Sequence, residues 1–215
     1  MMMERREVLR RYRHLRAIGR DHHSAALKFL PRPVIVEHAR RLGLITGQTL
    51  IADSMEELTL VFDLAIYTAR AGRSRAIDRY AKAAHLPSNT DEMSMLAAMC
   101  HARFSIWRIE RRHDTCGLLV SDALSQAEAW LVDEGLEASA QSGMCFASRL
   151  CEIDPFVVTT GVIVPVDGPL LESVFADAFV YRHPDPECID DDPRFATAIY
   201  RAALDAGIME CVVFN

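Results

Sequence analysis

The chain has none of the short motifs that name a reaction: no G-x-x-x-x-G-K-S/T, G-x-G-x-x-G, G-x-S-x-G or H-E-x-x-H occurs in its 215 residues. That removes the common routes to nucleotide, dinucleotide, serine-hydrolase and zinc-protease chemistry, and no cofactor is expected. It has no C-x-x-C pair either. Six cysteines (Cys100, Cys116, Cys145, Cys151, Cys188 and Cys211) are irregularly spaced in a chain too large to need stapling, which predicts reduced, structural thiols. No apolar run is long enough to span a bilayer, and the opening MMMERREV enters charge without the apolar stretch of a secretory signal. The expectation is a soluble, cytoplasmic protein with no membrane partner. There is no internal repeat and no low-complexity segment.

Half of the residues are hydrophobic and a quarter are charged, as in a globular protein with one good core or two small ones. The net charge of −6 is unevenly distributed. Residues 1–41 hold eleven Lys and Arg against four Asp and Glu, a balance of +7, so the remainder carries −13. A basic arm therefore precedes an acidic body, which suits packing of the arm on its own molecule or on a second copy.

Near Arg103 the apolar period changes. Before it, the spacing is helical: Val8, Tyr12, Leu15 and Ile18 share one side of a first helix whose other side carries Arg6, Arg10, Arg13 and Arg20. Pro31 and Pro33 preset a helix over 34–42 stopped by Gly43, and Ser54 with Glu57 forms an S-x-x-E capping box for a helix ending at Gly72. Shorter helices follow over 74–84 and from Thr90 or Asp91 to Cys100. After the break, strands are predicted over 104–112, 117–121, 127–133, 144–152 and 156–164, separated by turn signals such as HDTCG and Asp154-Pro155. The segment 122–134 has good helix formers but is read as strand, because its neighbours would otherwise lack a partner. Leu171, Val174, Phe175, Ala178 and Phe179 then mark a helix, Asp192 and Pro193 open a last one, and ECVVFN reads as an added strand.

The fold expected is α+β: a helical region over 1–103, a small β-barrel or curled antiparallel sheet of about five strands over 104–167, and C-terminal helices with a terminal strand over 168–215. One compact domain that holds all three blocks is the alternative organisation.

Candidate chemistry is thin. Cys100, His101, His113 and Cys116 resemble a zinc set, but a strand over 104–112 would hold the two pairs roughly 30 Å apart at about 3.3 Å per residue. Cys145 and Cys151 lie about 20 Å apart on one strand and cannot pair. His14, Asp21, His22 and His23 cluster in sequence, but the adjacent histidines would point about 100° apart on a helix. The acidic run Glu187, Asp190, Asp191 and Asp192 lacks the glycine and closing glutamate of a calcium loop. No metal is assigned. EHARRLGLITGQTL, residues 37–50, has the outline of a helix-turn-helix entry, but no Lys or Arg falls between Ile45 and Ala69, where a recognition helix needs them.

Two readings remain, with catalysis undecided. One is a non-catalytic binding or regulatory protein working through the β-rich module and a helical surface. The other is a small-ligand protein or enzyme with a pocket between helices and sheet, lined by Trp107, Arg108, His113, Trp130 and Arg149. Nucleic acid is disfavoured; its contact would be Arg6, Arg10, Arg13 and Arg20. Self-association is compatible with the many apolar helix faces.

The run over 58–166 resembles members of an uncharacterised bacterial protein family, through Asp63-Leu64-Ala65, Ala76-Ile77-Asp78-Arg79-Tyr80 and the segment from Gly143 to Leu150. The resemblance implies no activity, cofactor or site.

Overall fold

A computed structural model describes residues 4–47, 49–51, 54–70, 72–176 and 192–208. The chain is α+β, and its described residues divide into two compact units, one formed by 4–22 with 84–166 and the other by those of 23–83 with 167–176 and 192–208.

The first unit is built around five strands: β3 (Arg103–Arg112), β4 (Leu118–Asp122), β5 (Glu128–Leu131), β6 (Cys145–Ile153) and β7 (Phe156–Val166). They hydrogen-bond in the ring order β3-β4-β5-β7-β6, with β6 returning to β3. The sheet is mixed: of the alternatives expected, barrel or curled antiparallel sheet, the antiparallel one fails at one place, since β5 and β7 run parallel. The reason is parity: strand direction cannot alternate all the way round a ring of five. Curvature comes from two bulges. Glu110 is the extra residue of β3 against β4, and β7 carries extra residues around Gly161 (φ +121°) against β6.

Inside the ring, Trp107, Ile109, Leu118, Val120, Leu131, Phe146 and Leu150 form the core. The segment 122–134 holds both strand and helix. Asp122, fully buried, accepts from Ser105 Oγ (2.8 Å) and from the backbone N–H of Leu124 (2.8 Å), which fixes a turn and stops the good helix formers from winding. β5 follows. Asp133, expected as the end of a strand, instead caps α6 (Glu134–Ser139) by accepting from Leu136 N–H at 3.0 Å. Thr90 caps α5 (Asp91–Cys100), as its position predicts, by accepting from Met93 N–H at 3.3 Å.

Most of the basic arm is α1 (Arg5–Leu27), longer than its apolar stripe suggested. Up to His22 it belongs to the ring unit, and Val8, Tyr12, Leu15 and Ile18 are buried as their spacing requires. Its arginines meet acidic groups of the same unit: Arg5 pairs with Glu137 (2.9 Å) and Arg11 with Asp91 (3.1 Å). Tyr12 Oη approaches Asp133 Oδ2 at 3.4 Å; burial and that carboxylate push its hydroxyl up to about 12.

The second unit contains α2 (Arg32–Arg41), β1 (Ile45–Thr46), β2 (Thr49–Leu50), α3 (Met55–Tyr67), α4 (Ala76–Ala83), α7 (Gly168–Ala176) and α8 (Pro193–Asp205). The helix-turn-helix outline is overturned here, because α2 is followed by an antiparallel β1–β2 pair turning at Gly47 (φ +65°). Ser54 accepts from Glu57 N–H at 3.2 Å, the expected cap of α3, and Asp192 accepts from Arg194 N–H at 2.8 Å ahead of Pro193. Buried Leu60, Val61 and Leu64 of α3 and Phe195, Ile199 and Tyr200 of α8 supply much of the core, and Tyr200 Oη donates to Asp63 Oδ2 at 2.9 Å. The expected ECVVFN strand, Cys188, Cys211, the run from Glu187 to Asp191 and the helix beyond Ala176 lie outside the described residues.

Candidate functional site: a cleft where the ring parts

The odd strand count has a local consequence. β5 meets β7 at one register pair, Leu131 with Val157, supported by a 3.0 Å bond from Val132 N–H to Val157 O. Continuing that parallel register backwards would set residues 128–130 against 154–156. Asp154 and Pro155 form the β6–β7 turn, and proline has no N–H to donate, so the ladder ends. Between the first half of β5 and this turn lies a cleft of about 490 Å³. That volume suits a small ligand or a few residues of extended chain.

One wall is the consecutive run Ala127, Glu128, Ala129 and Trp130, and the opposite wall is Glu152 with the run from Asp154 to Val157. Consecutive residues line one cavity when the backbone itself faces it, since alternate side chains of a strand point to opposite sides. Trp107 and Leu150 supply apolar surface from inside the ring; Ala98 and His101 of α5 and Arg103 at the start of β3 complete the lining. His101 is held by its own helix, Nδ1 lying 2.8 Å from Ala97 O. The Arg103 guanidinium sits 3.2 Å from the buried Asp122 carboxylate, which engages its charge. Glu128, Glu152 and Asp154 are exposed, so the mouth is acidic. The lining holds no Ser, Thr, Cys or Lys, hence no side-chain nucleophile of those kinds.

Both tryptophans are fixed. Trp107 Nε1 donates to Ser148 O (3.2 Å) and Trp130 Nε1 to Cys116 O (2.7 Å). His113 stacks on Trp130 with ring centroids 4.0 Å apart, and Phe156 meets the same indole edge-on at 5.7 Å.

Of the five lining candidates, Trp107 and Trp130 border the cleft. His113 does not border it; its ring stacks on Trp130, and its Nδ1 accepts from Thr115 N–H at 3.2 Å. Arg108 pairs with Glu110 at 2.8 Å on the exposed side of β3, where it and Ser121 hold that carboxyl down to about 2. Arg149 is buried, its guanidinium carbon 5.2 Å above the Phe104 ring. Glu128, Glu152 and Asp154, as isolated charged residues beside turns, carry no distinguishing signal in the sequence, and His101 stands out there only as part of the zinc-like set.

On the arginine stripe, Arg13 is held by Glu134 (2.6 Å), while Arg6, Arg10 and Arg20 are exposed and form no ion pair with the described residues. The neighbouring histidines separate: His14 meets Asp91 (3.2 Å), His22 meets Glu92 O (2.8 Å), and His23 meets Tyr67 Oη (2.7 Å). Among the described residues no three His, Cys, Asp or Glu gather as a metal site would require. Burial pushes the Cys116 and Cys145 thiols up, away from reactive thiolate. No helix among the described residues is long and apolar enough to cross a membrane.

A family model, described as a family of unknown function (DUF7986), matches residues 6–167, about three quarters of the chain, and the chain belongs to that family. The match takes in α1 and all five ring strands and ends just before α7. No curated protein and no solved structure gives a significant match.

Proposed function

We propose that this member of DUF7986 is a non-catalytic binding protein whose five-stranded ring closes as a small barrel and takes its ligand in the cleft between β5 and the β6–β7 turn. The carrying observation is the cleft itself: about 490 Å³, with two hydrogen-bonded tryptophans, Phe156 and an acidic mouth, at the place where the β5–β7 ladder stops. The connectivity supports the reading. Numbered along the ring, the strands run 1-2-3-5-4 with a helix between the third and fourth, the order of the OB-type barrel. Such barrels bind on the second and third strands and the loops beside them, and this cleft borders the third strand and the loop joining the fourth to the fifth. That is an analogy of scaffold; the ligand follows from the site.

The test is an NMR titration of the full chain with small cationic, neutral and anionic aromatic compounds. Shifts are expected at the indole N–H groups of Trp107 and Trp130 and at the amides of 128–130 and 152–157. Ala127→Trp, at an exposed lining position, should block them without unfolding the ring. Shifts that fall elsewhere, or that survive the block, refute the cleft as the site.

A further inference from the structure

We infer that the cleft receives a short extended peptide segment carrying Lys or Arg, which pairs by its backbone with the open edge of β5. This rests on the cleft being the binding site and names what enters it. The first observation is the parity of the β5 ladder. Asp122 N–H donates to Ala127 O at 2.8 Å, and Ala129 and Leu131 stand opposite Val120 and Leu118 of β4, so residues 127, 129 and 131 direct their backbone groups to β4. The backbone groups of Glu128 and Trp130 therefore turn the other way. Val132 confirms the phase, since its N–H goes to β7. With β7 engaged at Leu131 alone and Pro155 opposite, the N–H and C=O of Glu128 and the N–H of Trp130 face the cleft. Three residues of edge, about 10 Å at about 3.4 Å each, match three residues of an incoming strand.

The second observation is charge. Glu128 on one wall and Glu152 and Asp154 on the other are exposed at the mouth, while the cation of the lining, Arg103, is engaged by buried Asp122. An entering strand carries every second side chain on one face of the sheet, where cationic ones lie beside these carboxylates as cross-strand neighbours. Backbone pairing supplies the affinity and the three carboxylates select the sequence. A polyphosphate backbone would meet the wrong sign of charge.

The experiment uses the full chain and three blocked pentapeptides: Val-Lys-Val-Arg-Val, its counterpart with both cations replaced by Glu, and the basic sequence N-methylated at its Lys and Arg. Binding is read by tryptophan fluorescence and by the amide shifts of Glu128 and Trp130. The basic peptide is expected to bind about tenfold more tightly than the acidic one, to move both amides downfield, and to lose at least tenfold in affinity on N-methylation. The double variant Glu152→Gln, Asp154→Asn, both at exposed positions, should weaken it about tenfold while Trp fluorescence of the free protein stays unchanged.

Equal binding of the N-methylated or the acidic peptide overturns the inference and leaves the cleft as a site. So does binding of a thymidine oligonucleotide at the same amides more tightly than the basic peptide. Failure of all three peptides in a protein whose cleft takes small aromatic compounds overturns it as well; failure of both kinds of probe refutes the cleft.

Discussion

Gly117, where the backbone of β5 crowds the position a Cβ would take, yields the sharpest stability prediction. Gly117 sits at φ +75°, and a Cβ there would stand 2.3 Å from Leu131 O, deep inside van der Waals contact. Gly117→Ala thus carries two costs: about 1 kcal/mol for a left-handed L-residue and about 2 kcal/mol for forcing β4 away from β5, about 3 kcal/mol together. Gly143 isolates the first cost. It lies in the same unit at φ +86° with nothing within 4 Å of its Cβ position, so Gly143→Ala should cost about 1 kcal/mol. Both tryptophans of the chain lie in the ring unit, so urea unfolding followed by their fluorescence reads that unit. With a slope of about 1.5 kcal/mol per molar urea, the midpoints should fall by about 2 M and about 0.7 M. Leu131 is also the residue at which β5 meets β7, so Gly117→Ala should weaken ligand binding in the cleft where Gly143→Ala does not. Equal midpoint shifts for the two variants would mean that the approach to Leu131 O carries no cost of its own.

Removing the Asp122 carboxylate by Asp122→Ala strands the buried Ser105 hydroxyl and the Leu124 N–H; a loss of about 3 kcal/mol is expected in the same assay, and one below about 1 kcal/mol contradicts it. Thr90→Ala removes the cap of α5 and should cost about 1 kcal/mol, restored by Thr90→Ser. In the helical unit, burial first and Arg41 second push the His38 imidazole from 6.5 down to about 4, against the opposing charges of Glu37 and Asp63. The unfolded chain then binds a proton that the folded one refuses, so stability is complete above about pH 6.5 and falls as pH drops towards 4, by about 2–3 kcal/mol at pH 4.5. Circular dichroism of urea unfolding at pH 7 and 4.5 should show this extra loss in the wild type and not in His38→Gln; parallel curves would count against it.

The helix starts were legible because a cap is local: Ser54, Thr90 and Asp192 each bond to an N–H two or three residues on, within one short stretch of sequence. The inner face of α1 was legible for the same reason, since Val8, Tyr12, Leu15 and Ile18 need only the helical period. The parallel β5–β7 pair was not, because it follows from closure of the ring, which no strand of four to eleven residues encodes. Nor was α6, whose start at Asp133 lies in a stretch that strand and helix propensities contest. In the cleft, the tryptophans were found by residue type alone. Its acidic mouth escaped because Glu128 and Asp154 lie 26 residues apart and come together only through the parallel register. Arg149 misled in the opposite sense: a cation on a strand reads as solvent-facing or as a ligand contact, and it is buried over Phe104.

The most direct test of the binding reading is a crystal structure of the chain grown with whichever small aromatic compound gives the largest shifts at the Trp107 and Trp130 indoles. Density for it is expected between Trp130 and the Asp154-Pro155 turn, against Phe156. A fully occupied ligand seated anywhere else, with the cleft closed or holding only solvent, would contradict it.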